Sequence, residues 1–287
     1  MTSCFGLAIA LLTATAATAG PAQPPLRLAT YAYPAFDRRA ALASLASLVE
    51  ARTGRPVTVQ LLPTPDALAT AVRRGDVDLA VTNLAVFTQV ARLPAARAIV
   101  VLAPPPATLE RYRGVLLARR AGGPTTLADL RRMAPSLHYI EVLPGSTSGA
   151  MVQAKALREA GIAANRFRET SPAGTHDAAL AAVIDGTADV AALAEGPWLA
   201  LLASAPERAS RLVPLWRSAP LPPGPIVCIA SASVQCRRIA AALLSHSKAS
   251  EDAARMLARG WSETAGARRF IPVRTARYAA FIPPPSR

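Results

Sequence analysis

At 287 residues with 52% hydrophobic side chains, the chain is long enough to bury the core of one large or two moderate domains. Its formal net charge is +14, yet the only lysines are Lys155 and Lys248, so nearly all the positive charge is arginine dispersed along an Ala- and Pro-rich sequence. No basic run is interleaved with stacking aromatics and no nucleic-acid-binding motif occurs, which argues against a nucleic-acid partner. Dispersed positive charge instead steers small anions toward the protein.

Phe5 to Leu12 is a short apolar run followed by small residues, with Ala17-Thr18-Ala19 as a cleavage site. Residues 1–19 therefore read as a secretory signal that places the mature protein in the periplasm, although no Lys or Arg precedes the run. The run falls far short of the roughly 20 apolar residues that span a bilayer. Cys4 lies before it and lacks a lipoprotein-type setting. Export leaves Cys228 and Cys236 in an oxidising compartment, where a disulfide and two free thiols are both open. Their spacing is not that of a zinc site, and His138, His176 and His246 are too scattered to complete one, so neither metal nor cofactor is expected.

Taken in order, the periodicity predicts a strand at Leu26 to Tyr31, a helix at Ala40 to Arg52, and a strand at Val57 to Leu62. A helix at Pro65 to Arg74, a strand at Val77 to Val81 and a helix at Leu84 to Ala91 follow. Ala98 to Leu102 and Val115 to Ala118 bracket Pro104-Pro105-Pro106, a boundary between lobes. The second series has a helix at Thr126 to Arg132, strand Leu137 to Val142, helix Ser148 to Ala160, helix His176 to Ile184 and strand Val190 to Leu193. A short helix at Pro197 to Ala203 and extended segments at Leu212 to Trp216 and Ile226 to Ile229 come next. Helices near Ile239 to Leu244 and Asp252 to Trp261 close the chain. The alternation predicts an α/β protein with mainly parallel sheets and ligands at the carboxyl ends of the strands. Its order suggests a discontinuous first lobe, residues 20–111 and 215–287, with residues 112–214 as the second. Two crossings, around Arg111 to Leu116 and Leu212 to Pro220, would form a hinge.

The most informative stretch is Pro144 to Gly161, PGSTSGAMVQAKALREAG. Pro144-Gly145 turns a strand outward, and Ser146, Thr147 and Ser148 occupy the cap and first turn of a helix, where backbone N–H groups lack internal partners. Gly149 leaves room for a ligand to approach. Hydroxyls, free amides and the helix dipole together suit a compact oxyanion. On local grounds an ordinary polar loop remains the other reading.

TGRPVTVQ, RRGDVDLAV, PGSTSG followed by a long helix and AGI, HDAALAAVIDGTADVAAL, and GARRFIPVRTARY occur in an order that resembles the periplasmic phosphonate/phosphate/phosphite solute-binding family. The resemblance implies the two-lobed type II periplasmic binding fold and a binding protein, not an enzyme, that delivers its ligand to an ABC permease. It maps the anion cradle onto Ser146, Thr147 and Ser148, a ligand-facing histidine onto His176, and a phenol donor onto Tyr112. Arg113, next to Tyr112 on an extended segment, should face the other way. Thr82 and Asn83, at the end of the DVDLAV strand, and Glu195, on the second-lobe side, are further ligand-binding candidates. Three positions depart from the family pattern. A first-lobe tyrosine is replaced near Pro65, Phe87 cannot hydrogen-bond, and Pro222-Pro223-Gly224-Pro225 stands where an acidic residue reads an amine. An aminoalkylphosphonate is therefore disfavoured, and phosphate, phosphite, a simple phosphonate and an unrelated small anion all remain open as ligands of an expected monomer. The rival classes are a ligand sensor for a membrane kinase and a hydrolase using Ser148 and His176, the latter without G-x-S-x-G.

Overall fold

A computed structural model describes residues 23–231 and 234–282. The expected signal segment and Cys4 lie outside the described residues. Eleven strands are described: β1 (Leu26–Tyr31), β2 (Val57–Leu62), β3 (Leu79–Val81), β4 (Ala96–Leu102), β5 (Gly114–Arg119), β6 (His138–Glu141), β7 (Glu169–Pro172), β8 (Val190–Ala194), β9 (Leu212–Arg217), β10 (Ile226–Ile229) and β11 (Phe270–Ile271). They form two sheets, in the orders β11-β4-β10-β3-β1-β2 and β7-β6-β8-β5-β9. Helices cover both, so the architecture is two α/β lobes.

The helices begin where the sequence supplies a cap. Thr64, Thr126 and Thr175 each accept, through the side-chain oxygen, the amide three residues on, at 3.0 to 3.1 Å. Such a bond satisfies one of the orphan donors of a first turn and contributes about 1 kcal/mol. The long helix Arg38–Thr53 is capped by Asp37 and stops at Gly54, whose φ of 70° few other residues adopt cheaply. Its buried Leu42, Leu45 and Val49 join Leu257 and Trp261 in the core on one face of the first sheet.

The sheets are mixed, which corrects the expectation of mainly parallel ones. β1 pairs in parallel with β2 and β3, and β6 with β7 and β8. β10, however, is antiparallel to both β3 and β4, and β5 to both β8 and β9. β5 and β10 are the strands that carry the chain into a lobe from the other one, so each enters against the direction set by the local βα units.

The two crossings, 103–113 and 218–225, are joined. Leu221 N donates to Tyr112 O at 2.8 Å, and Gly114 and Ser218 exchange two hydrogen bonds of 2.9 and 3.0 Å. Part of the first crossing is a short helix, Pro106–Arg111, rather than a plain proline boundary. Tyr112, Val152 and partly buried Met151 pack with Phe87, Leu221 and Tyr278, so apolar surface continues from one lobe into the other. Cys228 and Cys236 are disulfide-bonded, with Cα atoms 5.8 Å apart. Among the described residues no helix is long and apolar enough to cross a membrane.

Candidate functional site

The PGSTSG segment follows β6, and its hydroxyls face the gap between the lobes. The expected helix from Ser148 starts instead as a π-helical turn, Thr147–Met151, in which Met151 N reaches Ser146 O at 2.8 Å and Val152 N reaches Thr147 O. A wider turn leaves carbonyls out of register with the α-helical ladder, and such turns recur at functional sites. Here the Ser148 carbonyl is taken by the side chain of Gln153. This fully buried amide donates to Ser148 O at 2.7 Å and also meets Val115 O and Leu193 O on β5 and β8. Gln153 thereby ties the turn to the second sheet.

Ser146, Thr147 and Ser148 line a small cavity of about 40 Å³ with Tyr31, Tyr33, Arg38, Asn83, Tyr112, His176 and Glu263. One water needs roughly 10–15 Å³ on this measure, so the space suits a few waters or one compact tetrahedral group. The cavity opens toward a neighbouring cleft of about 330 Å³, with which it shares Tyr33, Phe36, Tyr112, His176, Ser262 and Glu263. Closure over it is held by hydrogen bonds between lobes. Asn83 Nδ2 donates to Gly145 O at 3.0 Å, Ala85 N to Thr147 Oγ1 at 3.1 Å, and His176 N to the Tyr33 hydroxyl at 3.1 Å.

His176 is the first residue of the helix His176–Asp185. Ala194 N donates to its Nδ1 at 2.9 Å, which leaves the proton of the neutral ring on Nε2 as a donor. Burial and the nearby Arg38 charge push its pKa down to about 4. Tyr112 is buried, with its hydroxyl against those of Ser148 and Thr147, and burial holds its pKa well above the phenol range, so it too stays a donor. Arg38 is only 4% exposed. It donates to Gly260 O and Tyr31 O and stacks on the rings of Tyr31 and Trp261 at 4.1 and 4.3 Å.

Five of the expected ligand-binding residues, Ser146, Thr147, Ser148, Tyr112 and His176, meet at the cavity, and Asn83 joins them from the first lobe. Thr82 and Glu195 are not among the residues lining it. The Thr82 hydroxyl donates to Pro225 O at 2.6 Å, and Glu195 is buried in an ion pair with Arg217. Arg113 bonds Glu110 O and Ser218 O in the crossing, away from the cavity. Gly149 has a different role from the one expected. A Cβ there would lie 2.4 Å from Val142 Cγ2 and 3.0 Å from His176 Cε1, so the missing side chain makes room for packing behind the site, not for a ligand.

Sequence reasoning missed the first-lobe wall: Tyr31, Tyr33, Phe36, Arg38 and Glu263. YAYPAFDRR begins at the last residue of β1 and runs out from its carboxyl end, the place where open α/β sheets bind ligands, and that position was the available signal for the first four of them. Among the described residues, no group of three or more His, Cys, Asp or Glu side chains is placed to hold a metal ion.

Two α/β lobes joined by paired crossings, with donors from both facing a small cavity, define a bilobal binding protein. The chain belongs to the family described as ABC transporter, phosphonate, periplasmic substrate-binding protein, which it matches over residues 32–278. A binding-protein component of a phosphonate ABC transporter from Pseudomonas aeruginosa is similar in structure, with TM-score 0.65 and 18% identity over 90% of this chain and 84% of that one. A protein of Prochlorococcus marinus in complex with methylphosphonate gives TM-score 0.63 and 18% identity over 89% and 95%. A Xanthomonas citri protein bound to chloride gives TM-score 0.69 and 18% identity over the same shares. At this identity the likenesses speak to the fold. No curated protein matches the chain.

Proposed function

We propose that the chain captures a compact tetrahedral oxyanion of the phosphonate, phosphite or phosphate class between its lobes and presents the closed form to a membrane permease. Ser146, Thr147 and Ser148 act as the cradle, Tyr112 and the His176 Nε2–H as further donors, and Asn83 as the clasp from the first lobe. The lobes close about the crossings 103–113 and 218–225: residues 114–217, with β9 in their sheet, make the second lobe, and the described residues before and after the crossings make the first. The observation that carries this reading is the convergence of three consecutive hydroxyls, a phenol and a neutral imidazole on one cavity of about 40 Å³. Neutral donors converging on an ionised acceptor, with the buried Arg38 charge in the cavity wall, hold an oxyanion without a metal.

The protein works in this reading as an exported monomer and without catalysis. A hydrolase would need His176 as a base for Ser148, but its Nδ1 already accepts a backbone amide and its proton affinity is depressed. Isothermal titration calorimetry of the mature protein with inorganic phosphate, phosphite and methylphosphonate tests the proposal. One-to-one binding of at least one of them is expected. Absence of heat and of thermal stabilisation with all three overturns it.

A further inference from the structure

The first-lobe wall of the cavity carries a carboxyl group, which sits oddly in a site for anions. Glu263 lies in the turn Ser262–Thr264, directly after buried Trp261, and lines the same cavity as Ser146, Thr147 and Ser148. A carboxylate and an unprotonated oxyanion offer only acceptor lone pairs and like charge, so side by side they repel. One proton between them turns the repulsion into a charge-assisted hydrogen bond.

Arg38 does not remove this conflict. Two of its N–H groups are spent on Gly260 O and Tyr31 O, and among the described residues no ion pair joins it to Glu263. The other groups around the carboxyl are Tyr112 from the crossing, the Ser262 hydroxyl and the Glu263 amide of its own turn, and Tyr31, Tyr33 and His176, which line the same cavity. Arg111 and Asp177 line the adjoining cleft. His176 carries no charge near neutral pH. Burial holds the Glu263 carboxyl above the usual carboxylate range, against the smaller pull of its own amide, Arg38 and Ser262.

Resting on the anion-capture reading, we propose that Glu263 makes the site select oxyanions that bring their own acidic proton, such as phosphonates, phosphite and phosphate, over sulfate and sulfonates, which carry none. A phosphonate monoanion donates its O–H to the carboxylate and takes no proton from solution. A sulfonate binds only when Glu263 itself has been protonated. Above the range in which that carboxyl titrates, each pH unit therefore costs the sulfonate about tenfold in affinity and costs the phosphonate monoanion little.

The test is calorimetry with methylphosphonate and methanesulfonate at pH 6 and pH 7, on the wild-type protein and on Glu263→Gln. The wild type is expected to prefer methylphosphonate by about a hundredfold at pH 7, with methanesulfonate gaining about tenfold at pH 6. In Glu263→Gln, whose amide donates to either anion, the preference should shrink to within about tenfold and the pH dependence of methanesulfonate should vanish. Equal wild-type affinities, or an unchanged preference in a folded Glu263→Gln, overturn the proposal. So does tighter wild-type binding of 2-aminoethylphosphonate that is lost in the variant, since Glu263 would then be reading an ammonium. Should the variant fail to fold, the wild-type pH series decides alone. If neither anion binds the wild type, the same comparison is made with phosphite or phosphate against sulfate, and only if none of these binds does the anion-capture reading itself fail.

Discussion

The backbone amide of Ala194 donates to Nδ1 of His176 at 2.9 Å, so the end of β8 fixes which nitrogen of the ring faces the site with a proton. Burial and Arg38 keep that ring neutral down to about pH 4, well below the ordinary histidine value. In the unfolded chain the same group titrates near 6.5. Between those values the unfolded state binds more protons, so stability of the unliganded protein falls as pH drops from about 6.5 toward 4, by up to roughly 3 kcal/mol from this group. Urea unfolding at pH 4.5, 5.5 and 7 is expected to show that decline, and His176→Gln to lose this part of it. A slope unaltered in His176→Gln would contradict the assignment.

Gly149 sits where the π-helical turn passes behind the imidazole. Gly149→Ala puts a methyl group into contact with Val142 and His176, and overpacking of this kind costs about 1–3 kcal/mol. Because His176 is one of the groups displaced, ligand affinity is expected to drop as well. Thermal unfolding and ligand titration of the variant would register both effects together.

Gly145 meets the other lobe. Its φ is 79°, and a Cβ would stand 2.4 Å from Asp66 Oδ1 and 2.9 Å from Pro65 Cβ. The left-handed backbone alone makes Gly145→Ala unfavourable by about 1 kcal/mol. The clash adds a cost paid only when the lobes are shut. Weaker ligand binding with nearly normal folding is the expected outcome, accompanied by a larger radius of gyration in small-angle scattering at saturating ligand.

The Cys228–Cys236 disulfide ties β10 to the helix Cys236–Leu243 across eight positions of sequence. Closing a loop of that size stabilises by about 2–3 kcal/mol through the unfolded state. Cys228→Ala with Cys236→Ala should lower the unfolding midpoint accordingly while leaving ligand affinity intact, since neither residue borders the cavity.

Much of this architecture could be read from local sequence. Leu26–Tyr31, Val57–Leu62 and Ile226–Ile229 are strands over the expected residues, and Thr64, Thr126 and Thr175 mark helix starts. β7 escaped because Glu169-Thr170-Ser171-Pro172 is a polar edge strand without alternation, and β11 because it has only two residues. Strand direction escaped because alternation of elements says nothing about a strand that enters from another lobe, as β5 and β10 do. In the site, a run of three hydroxyls is visible in sequence. The apposition of Arg38 and Trp261, or of Tyr33 and His176, depends on folding and is not. Thr82 and Glu195 looked available because their partners, Pro225 and Arg217, lie far along the chain.

The most direct test of the central claim is calorimetric titration of Ser146→Ala, Thr147→Ala, Ser148→Ala combined in one protein, against whichever of phosphate, phosphite or methylphosphonate the wild type binds most tightly. Losing three hydroxyl partners of one anion should weaken binding by at least about a hundredfold, with the circular dichroism spectrum unchanged. A folded variant that binds the same anion with wild-type affinity would contradict the account.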